Sequence, residues 1–573
     1  MDNMKNMPPM GGPGGPGKLG GPGGPGGPGG PGGMPFMEPI ILPEKDWDNM
    51  TLDWAQYQDD WKKSENGKYY ELRFVYFVPN IESKDHQYMN IYVPAAYLNE
   101  DGTVNENGAV GAYTAKTAPV VFENECAGWN SSIPSVVKEE CIDNGFVYIH
   151  TGARGRDLPV VGKAPSAIVD LKAGVRFLRL HDDKIPGDKD KIISCGTSGG
   201  GQMSSLLGAS GNMPVYYPYL YEMGAAGMEK DAEGNFVSTI DDHIFASQCY
   251  CPITDLNNGD LAYSWMRYDD PNILVTNMFS DPAELTPFKQ VLQQDLAQAY
   301  CGYFNSLGLK NVKGEPLFFD KKADGTYDTR SGSYYDQVLE NISIALNAWL
   351  GAKVKPDGSI EFEKEVEPFV VEKFSYPSVE AYFASLKDLD KWLKKNEDGS
   401  YSVTNLAGFC QGTSLKREKD VPGYDAFNLV AENNAFGKKE ETAVHFSASV
   451  ADVLEANYDR YKDIPGFELC DVDAYIADGK RQDLKDQTYL MNSTHILLGN
   501  VNGTEKSDFS KFWRTRNGTA DEHGSFTLAY NLCMAAKLAG AEVDYALVWE
   551  APHGDVDGDG TGSFVEWVHK IVK

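Results

Sequence analysis

The 573-residue chain lacks any run of about 18 consecutive apolar residues, the length a helix needs to cross a bilayer. Residues 1–10 hold no apolar stretch of the signal-peptide kind, so the expectation is a cytoplasmic protein. Positive charge is scarce: 52 Lys and Arg stand against 83 Asp and Glu, a formal net charge of −31. Nucleic acids and anionic membranes are polyanions that such a surface repels, which excludes both as expected partners. A neutral or phenolic small molecule meets no such barrier. Paired metal-knuckle cysteines are missing too. Cys126, Cys141, Cys195, Cys249, Cys251, Cys301, Cys410, Cys470 and Cys533 are scattered, and their odd number reads as reduced thiols. Cys249 and Cys251 alternate along an apolar run and read as buried core thiols holding no metal.

What is plentiful is glycine and proline at the start. Gly recurs at every third position from Gly11 to Gly32, the register of a collagen repeat. With Gly also in most X positions the unfolded chain is too flexible for a triple helix to form easily, so residues 1–37 read as a disordered tail. Beyond it, alternating patterns at 68–76 and 89–94 predict edge strands, and apolar runs at 119–122 and 145–150 predict buried ones, with a helix between them at 135–144. A helical pattern at 167–180, a short strand at Ile192 and another at 243–251 follow. Strands alternating with helices imply an α/β fold with a mostly parallel sheet covered on both faces. The pattern breaks up from 257 to 490, too long for a connection, which reads as a large inserted lid or substrate domain. The core, begun at 38–256, resumes at 491–573 with a strand at 509–516, a helix at 525–539, a strand at 543–548 and a terminal helix at 563–572.

Within that core, Gly196-Thr197-Ser198-Gly199-Gly200 joins a strand to a helix. A Ser on such a turn has its Oγ exposed above the sheet, and small neighbours are required where a Cβ would meet strand or helix. Ser198 is therefore the candidate nucleophile. Its base and the orienting acid should follow in the order acid, then His, at later strand ends. Asp521 lies just past one strand and His553 just past the next. Asp255 and Glu522 are the rival acids, while His243, His445, His495 and His569 fall in or beside regular patterns and read as structural or exposed. Two backbone amides must hold an oxyanion, for which Gly199 and, in the loop 124–129, Gly128 are the candidates.

One further motif stands downstream. Asp555, Asp557, Asp559 and Glu566 have the spacing of a calcium loop, with Gly560 at its sharp turn. A strand rather than a helix is predicted ahead of it, and Gly562 occupies a usually apolar position. The plainer reading is an acidic loop capping the last helix, with no cofactor required; structural calcium is the alternative.

Several segments in order, 89–94, 162–165, 196–201, 206–212, 251–256, 512–518 and the His553 loop, resemble the bacterial tannase family of α/β-hydrolases, relatives of feruloyl esterases. The resemblance implies a serine esterase acting on a small-molecule ester of a phenolic acid, with Ser198, Asp521 and His553 as its triad. It also implies that Lys419 and Glu432 contact ring hydroxyls in the lid. His523 departs from the family, which has a second Asp there, and a neutral imidazole accepts one hydrogen bond where a carboxylate accepts several. A serine peptidase or amidase on the same fold and a non-catalytic binding protein remain open at this point, and oligomeric state is not written in the sequence.

Overall fold

The computed structural model describes residues 41–268, 274–275, 283–367, 370–415, 417–558 and 560–573. The Gly/Pro-rich segment and Asp559 lie outside them. Nine strands form the main sheet: β1 (Lys62–Lys63), β2 (Tyr69–Tyr76), β3 (Tyr88–Pro94), β4 (Val120–Asn124), β5 (Val147–Thr151), β6 (Ile192–Thr197), β7 (Ala246–Tyr250), β8 (Phe512–Gly518) and β9 (Glu542–Val548). Their order is β1-β2-β3-β5-β4-β6-β7-β8-β9. The first four in that order pair antiparallel and the rest parallel. Every residue of β4, β5, β7 and β8 is buried, as parallel strands covered on both faces must be.

Helices cover those faces. α1 (Ser166–Leu180) buries its Lys172 and Arg176 only because Asp242 takes both, at 2.9 and 2.5 Å. α2 (Gly199–Ala209) is buried along its whole length and is built of small residues where it meets neighbours: a Cβ on Gly208 would lie 3.0 Å from the Trp513 ring. After β7 the chain runs through α3 (Leu256–Arg267), α4 (Pro287–Leu307) and α5 (Ser333–Lys353), with hairpins such as Leu393–Lys395 with Tyr401–Val403. It returns through α6 (Ser493–Asn502), which packs on α2, then α7 (Phe526–Ala539) and α8 (Phe564–Ile571). This is the α/β-hydrolase arrangement. Among the described residues no helix is long and apolar enough to cross a membrane.

Several elements differ from their sequence patterns: β2 and β3, expected as edge strands, are each paired on both sides, because the short β1 lies outside β2 and β5 continues the sheet beyond β3. The helix expected over 135–144 forms only at Glu139–Asp143. Ser135 is held extended against β5, its backbone N–H and its hydroxyl both meeting His150 Nδ1, at 3.0 and 2.9 Å. The strand expected to reach Cys251 ends at Tyr250, and Cys251 leaves the sheet with φ 32°. Cys249 and Cys251 therefore do not continue one strand face.

Candidate active site

The parallel register brings the carboxyl ends of β4, β6, β7, β8 and β9 to one edge, where loops from separate stretches of chain meet. Gly196 pairs with Asn124 on one side and Cys249 on the other, and Thr197 with Tyr250. Ser198 follows at φ 60°, ψ −121°, a backbone conformation that a non-glycine residue adopts only when its surroundings enforce it. Two bonds do so: the Ser198 N–H donates to the Tyr250 carbonyl at 3.0 Å, and the Ser198 carbonyl accepts from Gln202 at 3.0 Å. Gly199 is pressed against the loop after β4. A Cβ there would stand 2.5 Å from the Cys126 carbonyl oxygen and 3.2 Å from the Gly128 nitrogen. Gly128 itself sits at φ 57°, left-handed space that glycine enters without penalty. The two amides expected to face an oxyanion are thus neighbours.

The acid and the base come from adjacent loops stitched together. Thr519 N–H donates to the Val548 carbonyl at 2.9 Å and Ala520 N–H to the Ala551 carbonyl at 3.0 Å. His553 Nδ1 donates to Asp521 Oδ2 at 2.8 Å. Asp521 Oδ1 accepts the backbone N–H of His523 at 2.9 Å and of Gly524 at 3.0 Å, and the Asp521 carbonyl accepts from Arg267 at 2.8 Å. Burial raises the Asp521 carboxyl, but the nearby charge and hydrogen bond of His553, the charge of His523 and the Gly524 amide outweigh it and hold the group well below the usual carboxylate range. The Asp521 side chain is 1% exposed and that of His553 14%. The His553 loop is tied to the elbow, since Thr197 donates its hydroxyl to Asp555. Cys251 lies among all three candidates: its sulfur is near the Ser198 backbone and within 4.8 Å of Asp521 and His553.

The rival acid Asp255 is otherwise used. Asp255 is buried at the start of α3 and accepts from Asn258 at 2.9 Å, Asn492 at 2.6 Å and the Tyr303 hydroxyl. Glu522 presents its carbonyl to the Tyr263 hydroxyl at 2.7 Å.

Beside this edge the segment around 418–434 approaches the Asp521 loop. Lys419 Nζ and Glu432 Oε1 are 3.4 Å apart, with the side chains 19% and 8% exposed. Burial lowers the pKa of the Lys419 ammonium, yet Glu432 and Glu418 more than offset this and hold it above the ordinary lysine value. Lys419 also stands over the Tyr424 ring at 4.8 Å, and the Tyr424 hydroxyl donates to the His523 carbonyl at 2.8 Å. The Tyr263 hydroxyl accepts the N–H groups of Glu418 and Lys419 at 3.1 and 3.3 Å. Sequence reasoning missed Glu418, whose Oε2 lies 2.5 Å from His523 Nδ1. Nothing separates it by pattern from the other charges of its loop. The His523 and His553 rings are 4.7 Å apart, so a second carboxylate–imidazole pair stands beside the first.

The residues of the calcium spacing are committed in other ways. Asp555 binds Thr197 and lies 3.5 Å from Lys138 Nζ, while Asp557 takes the Tyr250 hydroxyl at 2.8 Å, Arg514 at 2.9 Å and the Phe564 amide at 2.6 Å. Glu566 closes a capping box with Ser563 at the start of α8. Asp559 is not among the described residues. The described carboxylates thus serve two hydroxyls, two cations of the chain and a helix N-terminus.

Comparison with known proteins bears on the fold and the family. The BD-FAE family model matches residues 114–241, which hold Gly128, Ser198 and Gly199. Comparison with curated protein sequences gave no match. Among solved structures, a tannin acyl hydrolase from Lactobacillus plantarum aligns at 26% identity and TM-score 0.67 over 90% of this chain and 98% of its own. A Fusobacterium nucleatum tannase aligns at 28% identity and TM-score 0.67 over the same shares. The chain is tannase-like. A tannin acyl hydrolase in complex with ethyl gallate matches the tannase-like chain at 25% identity and TM-score 0.68, covering 91% of it and 98% of its own length.

Proposed function

We propose that this tannase-like chain is a carboxylic ester hydrolase for esters of phenolic acids, working through an acyl-enzyme on Ser198. The observation that carries the reading is the Asp521–His553 pair standing beside the Ser198 elbow at a shared strand edge. His553 Nδ1–H points to Asp521, which leaves Nε2 as the ring nitrogen that accepts the Ser198 proton while Oγ attacks the ester carbonyl. The amides of Gly199 and Gly128 then take the oxyanion. The proton passes from Nε2 to the departing alcohol, and water, deprotonated by the same nitrogen, releases the acid. Asp521 stays ionised and stabilises the imidazolium.

The segment 257–490 serves as the lid, and its charged side chains form the acyl pocket. Lys419 and Glu432 meet ring hydroxyls. His523, with Glu418 Oε2 beside its Nδ1, offers one ring nitrogen as an acceptor where the family pattern has an Asp, so an acyl ring with fewer hydroxyls than gallate suits this pocket. The test is a panel of methyl gallate, methyl 3,4-dihydroxybenzoate, methyl 4-hydroxybenzoate, methyl ferulate, simple acetates and amino-acid amides with the full chain and Ser198→Ala. The reading expects aryl esters to be hydrolysed and the variant to lose on the order of a millionfold in kcat. Preference for amides, or undiminished turnover by Ser198→Ala, would overturn it.

A further inference from the structure

The mechanism above leaves Cys251 without a task, although it sits in the middle of the site. Its backbone is fixed by the N–H bond to the Arg516 carbonyl at 2.7 Å, and its sulfur meets the Gly554 carbonyl oxygen at 3.5 Å, one residue past His553. The sulfur, an Asp521 carboxylate oxygen and a ring nitrogen of His553 all lie within 4.8 Å of one another. Among the described residues this is the one such meeting of three metal-ligating side chains.

We propose that Cys251, Asp521 and His553 form a binding site for a thiophilic divalent cation of the zinc(II) class, and that its occupancy switches the hydrolase off. A thiolate, an imidazole and a carboxylate are the donor types zinc takes, at about 2.0–2.3 Å from the metal. Donors on a tetrahedron of that size are about 3.3–3.7 Å apart, so the separations here call for side-chain adjustments of an ångström or so. Charge favours the complex. Burial, with the Asp521 charge as a second cause, raises the Cys251 thiol well above its usual range, so a bare thiolate is disfavoured there. A dication removes that obstacle: with one thiolate, one ionised carboxylate and a neutral imidazole the buried assembly carries no net charge. One thiol proton leaves as the metal enters, and nothing is oxidised. The His553 edge, 14% exposed, provides the way in.

Inhibition follows from the imidazole. A metal at Nδ1 leaves the neutral ring with its proton on Nε2, which then has no lone pair for the Ser198 proton; a metal at Nε2 occupies that lone pair directly. The sequence reading that gave Cys249 and Cys251 no metal changes for Cys251 alone. Cys249 stays in β7, 3.3 Å from the Ser247 hydroxyl.

Binding rests on this geometry, whereas the loss of hydrolysis rests on the esterase reading, so the two are measured apart. Cadmium(II) is titrated into the full chain and followed by the ultraviolet thiolate-to-cadmium band; zinc(II) is titrated against aryl-ester hydrolysis, with release by a chelator. The wild type should show the band and reversible inhibition. Cys251→Ala should hydrolyse at the wild-type rate, lose the band and resist zinc by at least the roughly 10–100-fold that loss of a mere outer partner costs. Cys251→Ser is the fallback should the alanine variant not fold. His553→Ala should weaken cadmium binding by a similar factor with no turnover required. No band in the wild type, a band unchanged in Cys251→Ala, or cadmium affinity unchanged in His553→Ala would overturn the site. Cadmium binding as expected in a chain that hydrolyses no ester would overturn the esterase reading and leave the site standing.

Discussion

Asp521–His553 and Asp425–His445 are nearly the same contact, 2.8 and 2.7 Å from Nδ1 to a carboxylate oxygen, in two regions with different fates. Asp425 also accepts the backbone N–H groups of Phe446 and Ser447, each at 2.7 Å, and the Asn433 amide at 2.7 Å. His445 is 2% exposed and stacked on Tyr475 at 4.0 Å. That pair is sealed and pins a turn of the inserted segment. Asp521 likewise accepts two amides, but its histidine stands at the strand edge beside Ser198, with part of the ring open. An oriented imidazole becomes a candidate base only where a nucleophile and a path for substrate lie against it; elsewhere the same bonds are structural.

The sharpest way to break this comparison is to remove both acids. Asp521→Asn should lower kcat by about 10⁴ while the protein remains folded, because the histidine loses its tautomer and its counter-charge. Asp425→Asn should leave kcat within a few-fold and cost about 3 kcal/mol of stability, read from denaturant midpoints, since buried donors lose a charged acceptor. Equal effects on rate from the two variants would end the distinction. Gly199→Ala tests the backbone side of the site. Its Cβ would collide with the Cys126 carbonyl, so kcat should fall by about 10²–10³ with little change in KM. Glu418→Gln tests the neighbouring pair: it should shift kcat/KM ratios among hydroxybenzoate esters by about tenfold and leave simple acetates unaffected, which a panel of esters would show.

The smallest effect is one of pH. Asp521 is held below the ordinary aspartate value of about 3.9, so the stability its ionised form contributes is complete above that value and is lost as pH falls through its lower folded value. Between pH 7 and 5 Asp521 remains charged. Acid-unfolding curves of the wild type and Asp521→Asn should therefore converge only below about pH 4, and convergence already at pH 6 would contradict the assignment.

Much of the scaffold was legible because it is local. The β6 strand and α2 helix lie on either side of Ser198, and the glycines that let them pack are in the same pentapeptide. The helix expected at 135–144 was not, because its first residues are claimed by His150, a partner in the next strand. The sequence favoured Asp521 with Asp255 as its rival, and only the fold shows that Asp255 is taken by Asn258, Asn492 and Tyr303; Glu418 carries no pattern that sets it apart from the charges around it.

By itself the sequence set out the candidate nucleophile, acid and base in order along an alternating strand–helix frame, since each lies within a few residues of the end of its own strand. The tertiary structure decided which side chains converge. Glu418 reaches His523 from about 100 residues away in sequence, and Cys251 turns out of its strand to meet Asp521 and His553. Contacts of that kind depend on how strand ends align and how an inserted segment folds back over them, and periodicity along the chain carries no information about either.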